Sequence, residues 1–416
     1  MTRSRRKFLT SLLGTPAILA IGGAVPSLFS SALAMGAETV GDKVLVVVQM
    51  TGGNDGLNTV IPFADPDYRK LRPTLAVPQS DVLMINRQLG FHPSMKGFAE
   101  LLEGEKLAIV QGVGYDNPNR SHFESMDIWH TGLQKTATRT EGWLGRCVDR
   151  WESPSKEVLA MHVGREKLPL ALVAQQSRVP SVESLKQFQL DEGKIDRSAK
   201  VRELSESPRT ESNHLLGFVA SSTVSAISVS ERVRQAANDY KPHHAYPESA
   251  LGEKFRLIAQ LIDSGFPSRI YYVELDGFDT HSQQAAAHSG LLRQLTDAVS
   301  VFVRDLDAQG NGDRVVTMCF SEFGRRVAEN ASEGTDHGTA APMFLAGNSV
   351  KPGLIGEHPS LADLDQGDLK HHTDFRQVYA SLLNHWLGSH ATQVLGKSYD
   401  PIPILKTMQQ SDGDKT

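Results

Sequence analysis

Acidic, imidazole and hydroxyl side chains recur along this chain in short stretches flanked by glycine and threonine, where core packing does not call for them. In "SEGTDHGTAAPMF" (Ser332–Phe344), Asp336 and His337 stand side by side ahead of an apolar run. "TGGNDGLNTVIP" carries Asp55, and "YDNPNRSHFESMDIWHTG" carries Arg120, Ser121, His122 and Ser125. "DGFDTHSQQ" holds Asp276, Asp279 and His281, "SEFGRR" holds Glu322, Arg325 and Arg326, and "KHHTDFRQ" holds His371, His372 and Asp374. Carboxylate oxygen and neutral imidazole nitrogen are the donors that a divalent ion such as zinc takes. Two such ions can stabilise both the attacking and the leaving oxygen of a displacement at phosphorus or sulfur. Ser121 is a candidate nucleophile if a bound ion lowers its pKa, and Arg120 or Arg325 offers a planar fork for a tetrahedral oxyanion.

These residues share a place relative to the expected elements. "KVLVVVQM" (Lys43–Met50) is an apolar run of strand length, as a strand buried on both faces requires. "KLAIVQGVG", "PLALVA" (Pro169–Ala174), "RIYYVEL", "RVVTMCF" and "PMFLAG" read the same way. Helical stripes lie between them, the clearest running through Leu291, Leu292, Leu295, Val299, Phe302, Val303 and Leu306. Phe375, Val378, Tyr379, Leu382, Leu383 and Trp386 repeat that spacing near the C-terminus. Strands alternating with helices predict an α/β fold: a doubly wound, mostly parallel sheet with helices on both faces. Ligands of such sheets bind beyond the carboxyl ends of the strands, and the candidate residues fall there.

Each candidate also has a purely structural reading. Asp55 after two glycines is equally a turn former, and Ser121 suits the N-cap of the following helix. His122 reads better as a packing or supporting histidine than as a ligand. His281 and His288 suit solvated positions on a first helical turn, Glu322 and Arg325 an ion pair with each other, and Asp374 the cap of the last helix. Asp336 and His337 are the pair with no packing reason, and there the metal reading is favoured. Cys319, inside "RVVTMCF", suits a plain core thiol, and two cysteines are too few for a disulfide framework.

The N-terminus reads as an address. "SRRKFLT" contains the twin arginines Arg5 and Arg6, a glycine-interrupted apolar stretch follows, and "ALA" at Ala32–Ala34 has the form a signal peptidase cuts. Residues 1–34 are therefore expected to be a twin-arginine (Tat) signal, the Tat translocase a partner during export, and the mature protein periplasmic or extracellular without a stable membrane span. Substrates of that route fold before crossing, often with a cofactor bound, which favours a metal site. The formal net charge of the chain is −5 and becomes −9 without the four basic residues of the signal, so nucleic acid is not expected as a partner. Residues 35–416 are expected to form a single α/β domain, with a polar, partly helical insertion at about 181–247.

Taken together, these motifs carry a resemblance. "DHG" followed by "PMFLAG" and "VKPG" resembles the metal-binding stretch of the alkaline phosphatase superfamily, which includes sulfatases. "TDFRQVYASLLNHWLG" is similar to its closing segment, and in "NRSHFESMDIWHTG" Ser121 falls close to the nucleophile position of the sulfatases. The signal together with "GGNDGLN", "RSHFESMDIWHTG", "GFDTH" and "SEFGR" looks like a bacterial family of exported proteins of unknown function assigned to that superfamily. The superfamily resemblance implies an alkaline-phosphatase-like sheet with two metal sites. One would use Asp55, Ser121, Asp336 and His337, and the other Asp279, His281 and either His371 or His372, of which His372 is preferred. The superfamily spaces the acid and imidazole of that second site as D-x-x-x-H, whereas "DGFDTH" sets Asp279 two residues and Asp276 five residues before His281, so a single-metal site is also open. The expected function is an exported hydrolase of phosphate or sulfate esters, small-molecule or glycan, with one or two ions among Zn, Ca, Mg and Mn. The alternative is an inactive exported binding or assembly protein on the same fold. A metal-free Ser-His hydrolase ranks third, since no G-x-S-x-G elbow occurs.

Overall fold

The computed structural model describes residues 43–134, 139–151, 158–183 and 240–406. The expected signal and most of the expected insertion at 181–247 lie outside the described residues.

Among the described residues nine strands form the main sheet: β1 (Val44–Thr51), β2 (Leu107–Gly114), β3 (Ala160–Val163), β4 (Ser181–Val182), β5 (Ile270–Asp276), β6 (Val315–Phe320), β7 (Ala341–Ala346), β8 (Gly353–Ile355) and β9 (Thr373–Asp374). Their order is β8-β2-β7-β6-β1-β5-β3-β4, with β9 pairing β2. Central β1 is parallel to β5 and to β6, with Val47 opposite Tyr272 on one side and Met318 on the other. Only β7 runs against its neighbours, antiparallel to both β2 and β6. The mostly parallel α/β sheet expected from the sequence is therefore present, with one reversed strand inside it.

The apolar runs are continuous because both faces are covered. Val44, Val46, Val48 and Met50 pack with Tyr271, Val273 and Leu275 under helices α2 (Lys96–Glu103), α5 (Ala250–Asp263) and α6 (Gln284–Ala308). Leu45, Val47, Ile270, Tyr272 and Met318 meet α3 (His122–Thr131), α4 (Trp143–Val148) and α7 (Phe375–Leu382) on the other face. Each such Leu, Val or Phe contributes about 1.5–3 kcal/mol by leaving water, and that drives the alternation of faces. A smaller cluster, with Leu57, Phe63, Tyr68 and Leu369, lies under the loop that contains helix α1 (Pro66–Leu71).

Two expectations differ from the structure. "PLALVA" is not a strand: Leu170–Leu172 form a 3-10 turn pressed against α4, where Gly142 and Gly145 let the backbones meet, and a Cβ on Gly145 would lie 2.0 Å from the Val173 carbonyl oxygen. The strand in that region is β3, whose "AMHV" is too short to stand out in the sequence. His288 is not solvated but lies on the buried face of α6, with Nε2 2.9 Å from Asn54 Oδ1. The expected cap at Asp374 is present as a complete capping box with Gln377, and both cysteines are buried free thiols.

Candidate metal centre

The loops that leave the carboxyl ends of β1, β2, β5 and β6 meet at one edge of the sheet. Because β7 is reversed, the loop entering it, which carries Asp336 and His337, arrives at the same edge. Two glycines allow the close approach. Gly52 has φ +118, and a Cβ there would lie 2.3 Å from the Asp279 amide; a Cβ on Gly53 would strike the Phe323 ring at 2.4 Å. A side chain on Gly52 would force the β1 and β5 loops apart, and one on Gly53 the β1 and β6 loops.

Asp279 is the focus. Its Oδ1 lies 3.4 Å from His122 Nε2, 3.1 Å from His281 Nε2, 3.1 Å from His337 Nε2 and 2.7 Å from Arg325 Nη2. One donor atom each of His122, Asp279 and His337 falls within 4.8 Å of the others, and His281 Nε2 joins at 2.9 Å from His337 Nε2. Donors around a tetrahedral ion at about 2.0–2.1 Å stand roughly 3.3–3.4 Å apart; the imidazole contacts of Asp279 Oδ1, at 3.1–3.4 Å, lie near that spacing, while His281 stands outside the mutually close set of His122, Asp279 and His337.

The far side of every imidazole is held. His122 Nδ1 lies 2.9 Å from Glu322 Oε1, His337 Nδ1 lies 2.8 Å from the Arg120 carbonyl, and His281 Nδ1 lies 3.3 Å from Asp336 Oδ1. An acceptor on Nδ1 fixes the proton there and leaves the Nε2 lone pair directed inward, as in metal-bound histidines generally. His122 Nε2 is buried and forms no hydrogen bond among the described residues. A buried lone pair without a donor is costly unless something electrophilic meets it. Three imidazoles and one carboxylate suit a zinc-class ion, whereas calcium and magnesium prefer all-oxygen sets.

The electrostatics follow these contacts. Burial pushes the Asp279 carboxyl up, but the Arg325 guanidinium, through its hydrogen bond and its charge, outweighs it and the group is held at about 2. The Glu322 hydrogen bond raises His122 above the ordinary imidazole value, while burial lowers His337. Asp336 is lowered, first by its hydrogen bond from Asn330.

The predicted residues divide. Asp279, His281, Asp336 and His337 come together, with Asp336 behind His281 rather than beside the Nε2 donors. Asp276 is exposed and turned to the Gly277 amide, so the acid two residues before His281 is the one at the centre. Asp55 is fully buried against Arg72 and Gln284. His372 is elsewhere, its ring over Gly112 and Gly356 and its amide on the Gly112 carbonyl; His371 lies by Asp116. Arg325 is no free fork: its Nε and Nη atoms donate to the carbonyls of Gly52, Gly53, Phe278 and Thr335 and to Asp279. Arg120 forms an ion pair with buried Asp368. Ser121 is exposed at the N-cap of α3 and its hydroxyl makes no capping bond. The main chain on either side of it is anchored, by the Arg120 carbonyl and by the His122 ring. Sequence reasoning set His122 aside as a supporting residue and paired Glu322 with Arg325; the structure gives Glu322 to His122 and Arg325 to Asp279. The available signal was that both lie beyond a strand end, His122 at the start of α3 after β2 and Glu322 after β6.

An α/β protein with a histidine-rich centre at the strand ends is thus the class that fold and site define. Over residues 42–398 the chain matches the family model described as "Protein of unknown function (DUF1501)", and it belongs to that family. Among curated proteins, none matches it in sequence. It is similar in structure to the PsFucS1 sulfatase from Pseudoalteromonas sp., at 11% identity and TM-score 0.39, over 91% of this chain and 75% of that one. A protein in the alkaline phosphatase superfamily from Vibrio parahaemolyticus is similar at 7% identity and TM-score 0.39, over 85% and 69% of the two chains. The lipoteichoic acid synthase LtaP from Listeria monocytogenes is similar at 9% identity and TM-score 0.35, over 76% and 68%. Likenesses this distant say nothing of activity or ligand. Among the described residues no helix is long and apolar enough to cross a membrane.

Proposed function

We propose that this protein is an exported, metal-dependent hydrolase of phosphate or sulfate esters, folded as one α/β domain behind a twin-arginine signal. The observation that carries the reading is the set of three imidazoles, each braced at Nδ1, whose Nε2 atoms lie within 3.4 Å of Asp279 Oδ1, while that of His122 has no hydrogen-bond partner among the described residues. His122, Asp279, His281 and His337 would hold the ion. When bound, a zinc-class ion supplies Lewis acidity at the ester oxygen and lowers the pKa of a nearby hydroxyl. Glu322, Asp336 and the Arg120 carbonyl keep the three rings in the tautomer that presents Nε2. Arg325 keeps Asp279 ionised. Ser121, exposed and uncommitted to the helix cap, supplies the hydroxyl for attack at phosphorus or sulfur. Arg120 and Arg326 flank Asp368 at the rim and meet the anionic part of the substrate.

Protein folded in the cytoplasm and purified without chelator should contain zinc-class metal and hydrolyse nitrophenyl phosphate or nitrophenyl sulfate. Ser121→Ala should keep its metal and lose turnover by at least about a hundredfold; unchanged turnover, or protein without metal, sinks the proposal. A second reading, an inactive binding or assembly protein, draws on the commitment of Arg325 to main-chain carbonyls, which leaves one arginine fewer for an oxyanion. Metal without turnover across a broad ester panel, together with a stable partner in pull-downs, would favour it.

A further inference from the structure

Asp55 follows the glycine pair of the β1 loop, and the superfamily resemblance assigns it to a metal. The structure gives its carboxylate other work. Oδ2 accepts from Arg72 Nη1 and from Gln284 Nε2 at 2.5 Å, and Oδ1 accepts from the Asn58 amide at 3.4 Å. The side chains of Asp55 and Arg72 are both fully buried. Arg72 closes the C-terminal end of α1, donating Nε to the Val327 carbonyl and Nη2 to the Arg326 carbonyl, each at 2.8 Å. The guanidinium is thus pinned by three separate acceptors, and a divalent ion on Asp55 would sit beside a fixed positive charge in a dry interior, where like charges repel most strongly. Burial pushes the Asp55 carboxyl up, yet Arg72 outweighs it and keeps the group below its ordinary value.

The pair also reaches the centre described above. An ionised carboxylate only accepts, so Gln284 must present its amide nitrogen to Asp55 and its oxygen to the opposite side. That oxygen accepts from Thr280 Oγ1 at 3.0 Å and from Thr335 Oγ1 at 2.6 Å. Thr280 lies between Asp279 and His281, and Thr335 precedes Asp336 and His337. One buried amide therefore ties together the two loops that carry three of the four donors.

We propose that this protein holds a single ion, that the Arg72 guanidinium takes the electrostatic place of a second one, and that Asp55 acts through Gln284 as a positioning residue for the two donor loops. The inference rests on the metal-centre reading, and one experiment separates their failures. Full-length protein folded in the cytoplasm is stripped, then titrated with Zn2+ against a chromophoric chelator, with stoichiometry checked by native mass spectrometry. One ion per chain is expected. Gln284→Leu should keep that stoichiometry and weaken Zn2+ affinity about 10- to 100-fold, the range found when supporting partners of metal ligands are removed. Asp55→Asn, which keeps the shape of the side chain, should also bind one ion more weakly. Two ions in the parent chain, one of them lost in Asp55→Asn, would overturn the inference and leave the hydrolase reading standing. No ion in the parent chain would overturn both, and unchanged affinity in a folded Gln284→Leu protein would overturn the positioning role.

Discussion

His122 shows how much a single neighbour decides. Its raised pKa comes first from the Glu322 hydrogen bond and then from the charges of Glu322 and Asp279. Replacing Glu322 with Gln keeps an acceptor for the Gly52 amide but removes the charge. In metal-free Glu322→Gln protein, His122 should therefore titrate at lower pH than in the parent, as read by NMR of its ring protons. The same change should weaken Zn2+ binding about tenfold or more, since the charged brace makes the ring a better donor. A His122 titration that stays in place would show that Glu322 does not govern the ring. Asp336, read from the sequence as a ligand, stands behind His281 at its Nδ1, so Asp336→Asn should weaken Zn2+ binding and retain part of it.

At the scale of elements, the centre depends on helices and loops that touch through glycine. Gly97 in α2 lies against α6, where an added Cβ would meet the Thr296 carbonyl oxygen at 2.4 Å and Ser300 Oγ at 2.6 Å. The obstructing carbonyl belongs to the helix backbone and moves only if the helix moves. Gly97→Ala should accordingly destabilise the protein by about 1–3 kcal/mol, the usual cost of an overfilled interior. A lowered urea midpoint with unchanged slope would confirm this, and an unchanged midpoint would show that α2 shifts freely. Since α6 begins at Gln284, a displaced α6 should also weaken Zn2+ binding.

The whole molecule has a pH profile set by buried groups distant from one another. Burial holds His130 down to about 3, and His162 and His288 down to about 4. In the unfolded chain these imidazoles take up protons below about 6.5, whereas the folded protein keeps them neutral. The stability they confer is full above about 6.5 and is lost as the pH falls towards 4, by up to about 1.4 kcal/mol per pH unit for each histidine. Glu274 works the other way. Burial and the nearby Glu166 raise it to about 7, so the folded state holds its proton, and stability falls as the pH rises from about 4.5 to 7. Urea midpoints should drop between pH 7 and pH 5 because three groups oppose one. Glu274→Gln should raise the midpoint at pH 8, by about 2 kcal/mol in stability, and have little effect at pH 4. A variant no more stable than the parent at pH 8 would show that Glu274 ionises there without penalty.

The strands β1, β2, β5, β6 and β7 were legible in the sequence because burial on both faces demands an unbroken apolar run, and that demand is met within a few consecutive residues. The same locality made the candidate loops visible, since carboxylates and imidazoles among glycines right after such runs have few packing roles. "PLALVA" failed by the same logic, for an apolar run says that a segment is buried but not which backbone it lies against. Which carboxylate meets which cation is a different kind of fact. Asp55 is 17 residues from Arg72 and 229 from Gln284, and Glu322 is 200 residues from His122. Such partners are chosen by what the fold lays alongside, so only the tertiary structure could move Asp55 from ligand to anchor, free Ser121 from its cap, and bring His122 to the centre.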